Sequence, residues 1–250
     1  MKIKGIKPSK RTVALLAATI LLLSSGGIMG TNAALNITTE GDRAYDATIA
    51  TDQLSVQLAE KVQGEDDWTD LDDEATLFAS LKESGVEPGM PYKDAIGVKN
   101  NGHADEYIRI VVRKYWTNPD GEKDKNLNPA LIQLKEAAGW TKISGGSAET
   151  AIYYYANPVT TKDGVITLFE SVRINDSIAK EKTIYFDEGN GPQIVTEIPT
   201  SGTGTITYKY KYDGYTFNVE AEAQAVQTHS AKKAIKSVWG VDAASVGIEL

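Results

Sequence analysis

The sequence predicts an all-β fold, a jelly-roll-like β-sandwich carrying two or three short helices. Alternation of apolar and polar residues with period two is its dominant pattern, turn sequences separate the alternating runs, and few stretches carry helical spacing. The 250 residues include no cysteine. No disulfide can staple the chain, so its stability must come from a sizeable core.

The first 33 residues stand apart. Lys2, Lys4, Lys7, Lys10 and Arg11 precede an apolar run over residues 13–23, then Ser24, Ser25, Gly26 and Gly27, then Thr31-Asn32-Ala33-Ala34. A positive start, an apolar centre and a small-x-small exit make a secretory signal peptide, with cleavage between Ala33 and Ala34. The competing reading is an uncleaved anchor over residues 13–29, close to the lower limit of a membrane span. The glycine and serine run argues against a stable span. The protein is therefore expected to act outside the cytoplasm as one domain over residues 34–250, touching membrane only before cleavage.

Five of the 26 basic residues fall in the leader and none of the 34 acids does, so 21 bases face 34 acids in the mature chain, a charge of −13. That balance disfavours nucleic acid and anionic lipid as partners and makes self-association sensitive to pH and salt. No cysteine also excludes a thiol enzyme and a lipid anchor on cysteine.

Along the mature chain, residues 47–58 read as a first strand. Residues 92–99 form another, ending in the turn Asn100-Asn101-Gly102. Between them, Glu65, Asp66, Asp67, Asp70, Asp72, Asp73 and Glu74 crowd around Trp68 and Leu71, a solvated loop with calcium capture as the alternative. In residues 107–116, Ile108, Ile110 and Val112 point inward, opposite Arg109, Val111 and Arg113. Asn118, Asp120, Glu122 and Asp124 alternate around Gly121, a turn first and a metal loop second. Asn128 as cap, Pro129 at the first position and Gly139 past the end predict a helix. Residues 151–156, 165–174 and 183–186 are further strands. Ile206, Tyr208, Tyr210 and Tyr212 alternate with Thr205, Thr207, Lys209 and Lys211. After Asp213-Gly214, the residues Tyr215, Phe217, Val219, Ala221, Ala223 and Ala225 face one way, which predicts a hairpin with a buried aromatic face and a lysine row opposite a glutamate row. Residues 230–239 form a last helix with Ile235, Val238 and Trp239 as its stripe, ended by Gly240.

Catalytic signatures are sparse, and the sequence predicts no catalytic residue, cofactor site or metal ligand. The two histidines, His103 and His229, lie far apart without an H-E-x-x-H pattern, no G-x-S-x-G occurs, and neither histidine has an identifiable orienting partner. Ser201-Gly202-Thr203-Gly204 has no lysine closing it and leads into a strand, so it reads as a loop, not a phosphate cradle. Tyr153, Tyr154 and Tyr155 read as sheet core and edge, with a carbohydrate-stacking platform as the alternative.

The leader over residues 12–35 is similar to the signal peptides of Firmicutes exported proteins processed by the SipW type of signal peptidase. Leu77-Phe78, the Pro88-Gly89 turn, residues 98–102 and residues 106–112 resemble the camelysin/TasA family layout. Residues 212–231 with 234–240 look like the C-terminus of gut clostridial members of that exported group. The resemblance implies a jelly roll secreted to the cell surface or biofilm matrix, with signal peptidase, further copies of itself and matrix or cell-wall components as partners. TasA-like members polymerise by donating an N-terminal strand, for which residues 35–58 are the candidate segment here, led by Leu35 and Ile37 alternating with Asn36 and Thr38; pairing of this segment within its own domain is the alternative. Camelysin-like members imply a metal-dependent protease instead, and a glycan-binding surface module is a third reading. The acidic stretch over residues 63–73 and the helix expected near Asn128 depart from the family pattern.

Overall fold

The computed structural model describes residues 54–71, 77–199 and 203–250. In chain order these form β1 (Val56–Lys61), β2 (Thr69–Asp70), α1 (Ala79–Ser84), β3 (Pro91–Tyr92), β4 (Ala95–Asn100), β5 (Glu106–Thr117) and β6 (Lys123–Asp124). Then follow β7 (Ile132–Glu136), β8 (Trp140–Ser147), β9 (Thr150–Tyr155), β10 (Ile166–Ile174), β11 (Lys182–Asp187), β12 (Gln193–Val195), β13 (Thr205–Tyr210), β14 (Thr216–Gln227) and α2 (Ala231–Trp239). The fold is an all-β sandwich.

One sheet has the order β2-β1-β4-β10-β3, with β7 also on β10; the second has β14-β5-β9-β8, with β6 on β5; a third, three-stranded sheet has β12-β11-β13. The alternation in β5 sets how the two large sheets meet. Ile108, Ile110 and Val112 point inward as the sequence predicts, and with Tyr153, Phe217 and Val219 they pack on Ile96, Val98, Leu168 and Phe169 of the facing sheet. Tyr153 and Phe169 cross the interface edge to face, with ring centroids 5.3 Å apart, the arrangement aromatic quadrupoles favour.

The other face of the second sheet is also covered. Tyr107, Tyr154 and Val226 lie under Ala231, Ile235 and Trp239 of α2. The predicted C-terminal helix therefore forms, and its burial of Ile235 and Trp239 stabilises by about 1.5–3 kcal/mol for each fully buried side chain. Gly240, at φ 74°, ends it, a conformation glycine adopts without penalty.

Two predicted elements are corrected. Residues 204–225 do not make a hairpin. The Asp213-Gly214 turn is present, with Gly214 at φ 77° and the Tyr215 N–H donating to the Tyr212 carbonyl. Its two arms then diverge: β13 pairs with β11, while β14 runs along β5 from Thr216 opposite Thr117 to Gln227 opposite Glu106. A turn signal fixes a local reversal and says nothing of a competing twelve-residue partner that buries Phe217 and Val219. The β14 face is as predicted, but the tyrosines of β13 are exposed, with Tyr208 at 40% and Tyr210 at 41%. The expected lysine and glutamate rows accordingly separate: Lys211 pairs with Glu181, and Glu220 accepts from the Tyr115 hydroxyl.

The helix after Asn128 is a single 3-10 turn, Pro129–Leu131. Asn128 caps it as expected, its side-chain oxygen accepting from the Ala130 N–H at 2.9 Å. The chain then extends as β7, because pairing Ile132 and Leu134 with Ile174 and Val172 of β10 buries Ile132 fully. Gly139 serves the connection to β8 against the Tyr155 ring. Strand formation over residues 47–58 is described only from Leu54 onward, and β1 begins at Val56; the preceding residues lie outside the described ones.

Truncating Phe169 to alanine should cost about 3–5 kcal/mol, read as a shift of the urea midpoint, and Tyr208→Ala much less. Equal losses at the two positions would contradict this division into core and surface.

Candidate assembly site

Strand β14 is the outermost strand of its sheet. All twelve of its residues pair with β5 on one side, and among the described residues no strand pairs with the other. A long edge of this kind presents unpaired N–H and C=O groups to any strand that approaches. Across the seam between the sheets lies β1, whose own outer side is paired with β2 only at Ala59 and Glu60. Phe217, Val219, Ala221, Ala223 and Ala225 line the inner face of β14, the alanines leaving it low in side-chain volume. The chain from the N-terminus joins the fold here, at buried Leu54, where the Ser55 carbonyl accepts from the Asn101 N–H at 2.7 Å.

A buried carboxyl sits beside that junction. Glu106 opens β5 in the same alternation as Ile108 and Ile110, so its side chain points into the sandwich and is fully buried. Among the described residues neither carboxyl oxygen has a hydrogen bond of good geometry, and the Ser55 backbone is the one group that supports its charge. The Glu106 backbone bonds Val159 in both directions, and the side chain of neighbouring Asn100 donates to the Ala104 and Val159 carbonyls. Burial pushes the Glu106 pKa up to about 8, offset only in part by the Ser55 backbone. Glu60 of β1 is a second case: burial pushes it up to about 7 although the Phe78 N–H stabilises its anion, and the nearby Asp94 raises it further.

These glutamates were missed in the sequence, where acids are too plentiful to single one out. The signal for Glu106 was nevertheless present, since extending the inward row of β5 by one step places it inside.

The predicted residues fall as follows. Ala33, Ala34, Leu35 and Ile37 lie outside the described residues. In the acidic stretch, Glu65, Asp66 and Asp67 are exposed and Asp70 pairs with Lys99 at 2.8 Å; residues 72–76 lie outside the described ones. At the other acidic loop, the Asn118 side chain accepts from the Asp120 and Glu122 N–H groups. One Asp124 oxygen accepts from Asn126 and Leu127, and these bonds hold its carboxyl below the usual range. Those oxygens serve as turn acceptors, the first of the two readings. The fold brings His103 and His229 to one end, where Thr228 bonds Asp105, but no three His, Asp or Glu gather in metal-binding geometry among the described residues. Tyr153 and Tyr154 are buried and Tyr155 packs on Trp140 at 5.1 Å, which removes the stacking platform there. No protein-family model, curated protein or solved structure matches the chain.

The folded state binds the Glu106 and Glu60 protons more tightly than the unfolded chain, whose glutamates titrate near 4.5. Their stabilisation is complete below that pH and is lost as pH rises through 7 to 8. Stability of the native protein should fall by on the order of 5 kcal/mol between pH 5 and pH 8, the larger part from Glu106, and Glu106→Gln should flatten that slope in paired urea titrations. An unchanged slope in the variant would show that Glu106 is not the source.

Proposed function

We propose that this chain is a secreted structural protein of the cell surface or biofilm matrix whose subunits join by strand addition. The observation that carries the reading is the open twelve-residue edge of β14, and the sequence reading of residues 1–33 as an export signal, followed by the alternating Leu35 to Thr38, supports it. The donor expected over residues 35–58 is limited to the stretch 35–53. The residues after it are committed, because Val56 to Leu58 already pair with Asn100 to Val98 inside their own subunit. Main-chain hydrogen bonds to the receiving edge supply affinity, and apolar positions such as Leu35 and Ile37 supply specificity by filling the seam. A contact between an arm and a different surface of the next copy is heterologous, so repetition gives an open filament. The resemblance to TasA-like proteins supports the same reading.

Deleting residues 35–41 should leave a folded monomer that does not elongate, followed by light scattering and electron microscopy as the pH is lowered from 7. Filaments formed by the truncated chain as readily as by the intact one would rule out strand donation.

A further inference from the structure

At the end of β5 remote from Glu106, roughly 35 Å along the strand, the sandwich carries a cleft of about 600 Å³. Trp116 and Phe217, both buried, form its floor; Tyr210 at the end of β13, with Tyr212 and Tyr215 on the connection to β14, forms a wall; Glu87 and Asp213 stand at its rim. No lysine, arginine or histidine is among the described residues that line it. Five aromatic rings and two uncompensated carboxylates therefore share one concave surface.

The geometry of the rings narrows the ligand. Tyr212 and Tyr215 meet at 87° with centroids 5.4 Å apart, so they make two walls of a corner, not the flat platform on which a sugar ring stacks. The Tyr212 hydroxyl donates to Glu181 and the Tyr215 hydroxyl to Asp124, so neither offers its proton to a ligand. What remains is the negative face of each ring together with the rim carboxylates, a combination that favours a cation clothed in carbon. The molecule already uses these rings so: the Lys211 ammonium lies 4.9 Å from the Tyr212 centroid and the Lys182 ammonium 5.8 Å from that of Tyr210. Neither lysine lines the cleft.

We propose that this cleft binds an alkylammonium group, carried either by a small quaternary ammonium compound or at the end of a lysine side chain. The cleft meets β14 only at its Thr216-Phe217 end and is complete within one subunit. Calorimetric titration of the exported, purified protein tests it with three probes: choline, its neutral carbon isostere 3,3-dimethylbutanol, and N-acetyl-lysine N-methylamide. The expected result is saturable binding of at least one cation and none of the isostere, the tighter cation identifying the source. Replacing both exposed rim acids, Glu87→Gln with Asp213→Asn, should weaken that binding about tenfold with an unchanged melting temperature. Isostere binding equal to that of choline, or no saturable heat with either cation, would overturn the proposal.

Discussion

The two large sheets and α2 all depend on β5, whose inner row is buried from Glu106 to Val112 and whose outer face is covered at Tyr107. Its even-numbered residues from Ile108 to Val112 hold the two large sheets together, while Tyr107 and its neighbours on the opposite face receive α2. Burying the inner row makes the register strict, because a slip of one residue would exchange Ile108 and Ile110 for Arg109 and Val111 in the core. That fixes the partners: β14 aligns with it over its full length and β9 over Arg109 to Arg113. Without disulfides, this packing takes the part that covalent staples play in many small secreted domains.

The same strictness explains why an ionisable group is buried. Glu106 occupies the next inward position of β5, and the register that places Ile108 correctly leaves its carboxyl no route to solvent. Holding it neutral avoids the larger cost of an unpaired buried charge. This carboxyl lies beside the Ser55 backbone, next to the start of β1.

Exposed pairing capacity is distributed unevenly. On the third sheet, Ile206, Tyr208 and Tyr210 are half exposed on β13, and Lys182 lies over the Tyr208 ring at 4.4 Å, so a charge covers part of the apolar ladder. The edge of β14 is longer and its inner face is lined by alanines, with less side-chain bulk to deter an incoming strand.

The sequence by itself determined the class of fold, the inward row of β5, the inward row of β14, the C-terminal helix and the Asn128 cap, because each depends on periodicity or on contacts within a few residues. Tertiary structure alone decided which strands pair. The Asp213-Gly214 turn is real, yet its arms join different sheets: β14 buries Phe217 and Val219 along all of β5, while β13, paired with β11, keeps Tyr208 and Tyr210 exposed. It also decided that the segment after Asn128 extends instead of coiling, as pairing with β10 outweighs a weak local helical preference. The buried tyrosines 153 and 154 and the exposed 208 and 210 belong to the same chemistry and similar local patterns. Only the presence or absence of a second layer above each strand separates core from surface, and that layer comes from residues far away in the chain.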